Sequence, residues 1–241
     1  MMTVKDIAKM IDHSILRPEL TPEEVIMDCE LAKEYDVISV CVRPCDVALC
    51  KKQLEATNVK ITTVIGFPNG SNKTEIKVAE SLVAIDDGAV ELDMVLNVGY
   101  LIGGEYEYVE NDIREVVNAA HEKNVIVKVI LENSYLTDEL KVKACQIAEK
   151  AGADFVKTST GFASSGATID DLILMRKSVS PHVMVKAAGG VRDLDAVLAA
   201  RATGTVRAGT RSTKEIMDEA IRREKLGLLT EASNGKLGTG Y

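Results

Sequence analysis

Eight short apolar β-type runs, each followed by a stretch with helical spacing, predict an α/β protein: a (β/α)8 TIM barrel with a short extra N-terminal helix. Two observations favour a closed barrel over an open sheet. The chain has 241 residues, a size normal for one such barrel and large enough to bury roughly 70% of the unfolded surface. An open doubly wound sheet usually carries a glycine-rich dinucleotide turn after its first strand, and none follows the first run here.

The elements can be justified in order. The leading helix is expected at residues 3–10. Strands are expected at residues 11–16, 37–42, 60–67, 89–95, 125–131, 153–158, 182–187 and 204–208. Thr21-Pro22-Glu23-Glu24 opens the helix after the first strand with a capping hydroxyl, Pro at the first helical position and Glu at the third. Val109, Ile113, Val116, Val117 and Ala120 form one amphipathic stripe, and Leu140, Ala144, Ile147, Ala148 and Ala151 another. Thr168-Ile169-Asp170-Asp171 repeats the capping logic, while Gly88 and Gly152 stand where helices end in a left-handed residue. No linker divides the chain. A single domain is expected over residues 1–241, with residues 233–241, rich in Gly and Ser, as a flexible C-terminal tail.

Composition narrows the function. A formal net charge of −8 argues against nucleic acid as a partner, because phosphate backbones are bound by basic faces. It leaves room for a small phosphorylated ligand held at a local anion site. No apolar run approaches the ~18 residues of a membrane span, and the N-terminus lacks a secretory stretch, so no membrane partner and a cytoplasmic location are expected. The five cysteines, Cys29, Cys41, Cys45, Cys50 and Cys145, are odd in number and are expected as free thiols. Their spacing is not that of a zinc site, and His13, His121 and His182 are scattered, so neither a metal nor another cofactor is expected.

In such barrels chemistry gathers at the C-terminal ends of the strands. The first strand offers Asp12 and the second ends near Cys41. The fourth carries Glu91 and Asp93 on one face, and the fifth carries Lys128 and ends near Glu132. The sixth and seventh carry Lys157 and Lys186. Lysine is rarely buried, so three strand lysines admit two readings. One is an interior ion-pair network with Glu91, Asp93 and Glu132. The other is chemistry: the ammonium groups of Lys157 and Lys186, on adjacent strands, would repel each other among apolar walls. Both effects lower a lysine pKa toward that of a nucleophilic amine, with Asp93 near enough to carry protons. Separately, Gly189-Gly190 and Gly209-Thr210-Arg211-Ser212 fall in the loops after strands seven and eight, where barrels often bind phosphate at a helix N-terminus. Neither a nucleotide-binding P-loop nor a G-x-S-x-G nucleophile elbow is present.

Along nearly its whole length the chain resembles the deoxyribose-phosphate aldolase family. Phe155-Val156-Lys157-Thr158-Ser159-Thr160-Gly161-Phe162 is similar to that family's Schiff-base motif. Val185-Lys186-Ala187-Ala188-Gly189-Gly190-Val191-Arg192 is similar to its second-lysine motif, and Glu91-Leu92-Asp93-Met94-Val95-Leu96-Asn97 to its catalytic-aspartate strand. Val64-Ile65-Gly66-Phe67-Pro68-Asn69-Gly70 and Ile11-Asp12-His13 also match. The resemblance implies that Lys157 forms an imine with open-chain 2-deoxy-D-ribose 5-phosphate. Asp93 and Lys186 would relay the proton from the C3 hydroxyl as the C2–C3 bond breaks, giving D-glyceraldehyde 3-phosphate and acetaldehyde. It further implies substrate contacts from Asp12, Cys41, Thr160, Gly161, Gly189, Gly190, Gly209, Thr210, Arg211 and Ser212. Two departures stand out. The family's phosphate loop usually reads Gly-Thr-Ser-Ser-Gly where this chain has Gly209-Thr210-Arg211-Ser212-Thr213, so Arg211 either pairs with phosphate or faces solvent. Ala163-Ser164-Ser165-Gly166 stands where further glycines are common. Some members end in tyrosine, as here at Tyr241, whose hydroxyl could assist proton transfer to the enamine. A homodimer is compatible with such a barrel. The rivals are another Schiff-base aldolase or transaldolase, a barrel that binds sugar phosphate without turning it over, and a metal-dependent aldolase.

Overall fold

The computed structural model describes residues 2–231, 235 and 237. Eight parallel strands close into a barrel in sequence order: β1 (Ile11–Ile15), β2 (Ser39–Val42), β3 (Lys60–Ile65), β4 (Glu91–Val95), β5 (Ile126–Ile130), β6 (Phe155–Lys157), β7 (Met184–Ala188) and β8 (Arg207–Thr210). Closure is made by β1, which pairs with β2 on one side and with β8 on the other, Asp12 lying opposite both Ser39 and Gly209. The strands are shorter than the sequence pattern suggests, and β8 begins three residues late. Gly204, at φ +89°, still belongs to the turn that ends the preceding helix, its N–H bonded to the carbonyl of Arg201. The hydrophobic pattern does not separate such a turn from a strand.

The helical layer follows from the caps. In α2 (Pro22–Glu34) Thr21 and Glu24 form a reciprocal capping box, with bonds of 2.7 and 3.3 Å. In α8 (Ile169–Ser178) the Thr168 hydroxyl accepts from the Asp171 N–H. Gly88, at φ +118°, ends α4 (Thr74–Asp87), where a side chain would be strained. The stripe of α6 (Tyr106–His121) is buried at all five expected positions. In α7 (Asp138–Lys150) Ala144, Ile147 and Ala148 are buried, while Leu140 packs at the margin of the core. The remaining helices are α1 (Val4–Ala8), α3 (Val47–Leu54), α5 (Val98–Ile102), α9 (Leu194–Ala202) and α10 (Thr213–Lys225). α5, capped by the Asn97 side chain, was not expected. α1 sits at the N-terminal side of the barrel, its Ala8 carbonyl accepting from Ile38.

Aliphatic side chains fill the space between strands and helices. One charged pair interrupts it: Lys77 of α4 and Asp112 of α6, both fully buried, meet at 2.5 Å, and Lys77 also donates to the Val95 carbonyl at the end of β4. Burial of two ions is tolerated only when each finds such partners.

Candidate active site

The strand period of two sends Glu91 and Asp93 of β4 inward together. Register does the rest. Asp93 lies opposite Lys128 of β5, and Lys157 of β6 opposite Lys186 of β7. Asp93 thereby receives three lysines: Lys128 at 2.8 Å on Oδ1, and Lys157 at 2.8 Å and Lys186 at 2.7 Å on Oδ2. Lys128 also meets Glu91 at 2.6 Å, and Lys186 meets Asp12. Arg207 of β8 completes the ring, its Nε 2.8 Å from Asp12 and a terminal nitrogen 2.7 Å from Glu91. Four buried cations (Lys128, Lys157, Lys186, Arg207) thus face three carboxylates (Asp12, Glu91, Asp93), and the more exposed Lys60 also reaches Glu91 at 3.6 Å.

The interior ion-pair network expected of the strand lysines is present, and two expectations are corrected. Glu132 is not part of the network; Asp12 and Arg207 are. Nor does Lys186 have a lowered pKa. Burial opposes its charge, but Asp12 and Asp93 outweigh burial and raise it above the ordinary lysine range, so Lys186 is a fixed cation. Burial likewise disfavours charge on Asp93, and the three lysines overcome it, holding the carboxyl well below its usual range. On Glu91 burial is outweighed by Lys128 and Arg207, which bring it down to about 2. Burial pushes the Cys41 thiol up, which keeps it protonated. Cys41 packs with Leu16, Val64 and Phe67, so it is a wall residue.

A cavity of about 500 Å³ opens above the network. Lys157, Lys186, Asp12, Cys41 and Thr160 line its inner part, and Lys128 lies beneath, fully buried. The outer part is formed by Gly189, Gly190, Gly209, Thr210, Arg211 and Ser212, where the sequence placed an anion site. Gly189 is needed for close approach: it adopts φ +78° and a Cβ there would sit 2.8 Å from the Cα of Gly166. α10 starts at this end, and its N-cap Ser212 makes no side-chain cap, unlike the Thr and Asp caps of α7, α8 and α9. Gly161 differs from its expected place: at φ +89° it forms the turn behind Thr160 and is not among the lining residues. Tyr241 lies outside the described residues.

Sequence reasoning missed several neighbours. Arg192, like Arg211, lines the cavity. His13, 2% exposed, shares a 2.8 Å hydrogen bond through Nδ1 with the hydroxyl of Thr213, the first residue of α10, and its Nε2 lies 3.4 Å from Asp28. Thr213, which stands where the family's loop usually has glycine, is thus accommodated by a polar partner. The edge of one ring of Phe67 and Phe162 meets the face of the other, centroids 5.2 Å apart, joining the loop after β3 to the loop after β6.

Residues 7–216 match the profile of the DeoC/LacD family aldolases. The chain belongs to this family. Deoxyribose-phosphate aldolase of Thermococcus gammatolerans is 51% identical over 225 residues, covering 92% of this chain and all of the relative. The corresponding enzyme of Caldanaerobacter subterraneus is 49% identical over 218 residues, covering 90% and 94%. A solved deoxyribose phosphate aldolase from Aeropyrum pernix, described as a tetramer, superposes with a TM-score of 0.85 at 29% identity, covering 90% of this chain and 92% of that one. As a DeoC/LacD aldolase the chain makes and breaks carbon–carbon bonds. No helix among the described residues is long and apolar enough to cross a membrane, and no cluster of three or more His, Cys, Asp or Glu is placed to hold a metal ion.

Proposed function

We propose that this aldolase cleaves 2-deoxy-D-ribose 5-phosphate reversibly to D-glyceraldehyde 3-phosphate and acetaldehyde through an imine on Lys157. The observation that carries the assignment is the position of Lys157: it lines the cavity and is tied to a single carboxylate, whereas Lys128 and Lys186 are each tied to two. The Lys157 amine adds to the C1 aldehyde, and loss of water gives the imine. Asp93, bonded to both Lys157 and Lys186, is the route by which protons enter and leave. As the C3 hydroxyl proton passes to this relay, the C2–C3 bond breaks, the aldehyde product departs and the electron pair remains as an enamine. Protonation at C2 and hydrolysis release acetaldehyde and restore the amine. Lys186, a fixed cation, stabilises negative charge developing on the C3 oxygen. The phosphate lies against Gly189, Gly190, Gly209 and Ser212 at the start of α10, with Arg211 pairing to it directly.

Two coarser features fit this reading. Five free thiols are compatible with a cytoplasmic enzyme. The exposed Tyr100, Ile102 and Tyr106 offer an apolar face for a homodimer, which light scattering would read. The chemistry is tested by borohydride trapping with 2-deoxyribose 5-phosphate and peptide mass mapping. A substrate-dependent adduct on Lys157, absent in K157M, is expected. An adduct on Lys186 or Lys128 instead would show that the roles are misassigned, and no adduct at all would favour a barrel that binds without turnover.

A further inference from the structure

Glu132 is a buried carboxylate at the working end of the barrel that the proposed mechanism does not use. It follows β5, is 3% exposed and makes no ion pair among the described residues. Its backbone is held at φ +55°, a left-handed conformation unusual for a residue other than glycine. Such strain persists where the surroundings determine it, and at working sites it often serves to aim a group. Here the group aimed is Thr160. Glu132 Oε2 accepts from the Thr160 N–H at 3.2 Å and from the Thr160 hydroxyl. The same hydroxyl accepts from the Phe162 N–H at 3.0 Å.

A hydroxyl has one proton and two lone pairs. The proton is taken by Glu132 and one lone pair by Phe162. What Thr160 has left to offer the cavity it lines is one acceptor site, close to Lys157 in the chain. We propose that Glu132 is a positioning residue that fixes Thr160 as a hydrogen-bond acceptor for a substrate hydroxyl, and so lets the enzyme distinguish hydroxylated from deoxygenated acceptor aldehydes. This rests on the aldolase assignment. Of the two hydroxyls of the open-chain substrate, the one on C3 is consumed in the reaction, so the one on C4 is left for Thr160 to read. In the synthetic direction it is the C2 hydroxyl of D-glyceraldehyde 3-phosphate.

The test is aldol addition of acetaldehyde to D-glyceraldehyde 3-phosphate and to 3-oxopropyl phosphate, which keeps the phosphate and lacks the hydroxyl. The wild type should favour the hydroxylated acceptor in kcat/KM by about tenfold or more, since a site built for a hydroxyl rejects the analogue without it. T160V and E132L should bring the ratio to within about threefold, mainly by losing activity on the hydroxylated acceptor. E132Q, whose amide oxygen accepts the same two bonds, should retain the preference. A purely structural role would lower activity on both acceptors in parallel and leave the ratio unchanged. If E132L does not fold, T160V and E132Q decide alone. A wild-type ratio near one, an unchanged ratio in T160V, or loss of preference in E132Q overturns the proposal while the aldolase assignment stands. A wild type silent on both acceptors overturns both.

Discussion

Replacing Arg207 with Met keeps much of the side chain's volume but removes the only guanidinium in the interior charge ring. Arg207 donates to Asp12 at 2.8 Å and to Glu91 at 2.7 and 3.2 Å. Removing one partner of a buried ion pair costs about 3–5 kcal/mol, because the carboxylates left behind remain out of water. Two remaining cations soften the loss: Lys186 still meets Asp12, and Lys128 still meets Glu91 at 2.6 Å. The lower end, about 3 kcal/mol, is therefore expected at neutral pH. The dependence on pH carries the sharper test. Glu91 lies at about 2 in the folded chain against an ordinary 4.5. A folded value below the unfolded one contributes stability that is present above about pH 4.5 and lost as pH falls toward 2. The difference corresponds to about 3 kcal/mol from this group. In R207M the Glu91 carboxyl moves back up, so the variant has less of this stability to lose. The two proteins should differ most near neutrality and converge as pH falls through that window. Guanidinium unfolding followed by far-UV circular dichroism, from neutral pH down to about pH 3, measures this. A deficit below about 1 kcal/mol at neutral pH, or one that does not shrink in acid, would refute the account of the ring as a set of mutually dependent charges.

Two further substitutions probe the cavity itself. If Arg211 pairs with the phosphate as proposed, R211Q should raise KM for the phosphorylated substrate by about tenfold, leave kcat within about threefold and change turnover of unphosphorylated 2-deoxyribose little. Equal losses on both substrates would place Arg211 in a structural role. C41A should keep kcat/KM within about threefold, because a thiol held protonated by burial serves as a wall and not as a nucleophile; a loss of about a hundredfold would contradict that.

The barrel was legible because its periodicities are strong: β1 to β7 fall within a residue or two of the apolar runs, and the capping residues Thr21 and Thr168 mark real helix starts. The lysines were legible as anomalies, charged residues in otherwise apolar strands. Arg207 is the same kind of anomaly, yet it was hidden by the misplaced start of β8, which put it near the end of a strand rather than at its inward-facing beginning. The partner of Glu132 was not legible at all. Its left-handed backbone and its bonds to Thr160 join residues 28 positions apart, and nothing local in the sequence signals either. The raised pKa of Lys186 was misjudged for a related reason. Adjacency of two lysines is visible in the register, but the approach of Asp12 from the far side of β8 emerges only on closure.

Closure also supports assigning the chemistry to Lys157 among the three interior lysines. Forming a covalent bond at Lys128 would sacrifice its contacts with both Glu91 and Asp93, and at Lys186 those with both Asp12 and Asp93. At Lys157 only the contact with Asp93 is at stake, and Asp93 keeps two other lysines when it goes. Lys157 is also the end of its strand and faces the cavity, whereas Lys128 is sealed below. The ring therefore works as a support with one replaceable member. With Lys157 as the neutral amine the ring is balanced, Lys128, Lys186 and Arg207 against Asp12, Glu91 and Asp93, so it holds its cations in place without adding net charge to the floor of the cavity. An overall acidic protein can still hold an anionic substrate, because the charge that matters is the local one: even with Lys157 neutral, Arg17, Lys186, Arg192 and Arg211 line the cavity against Asp12, Asp28 and Glu215.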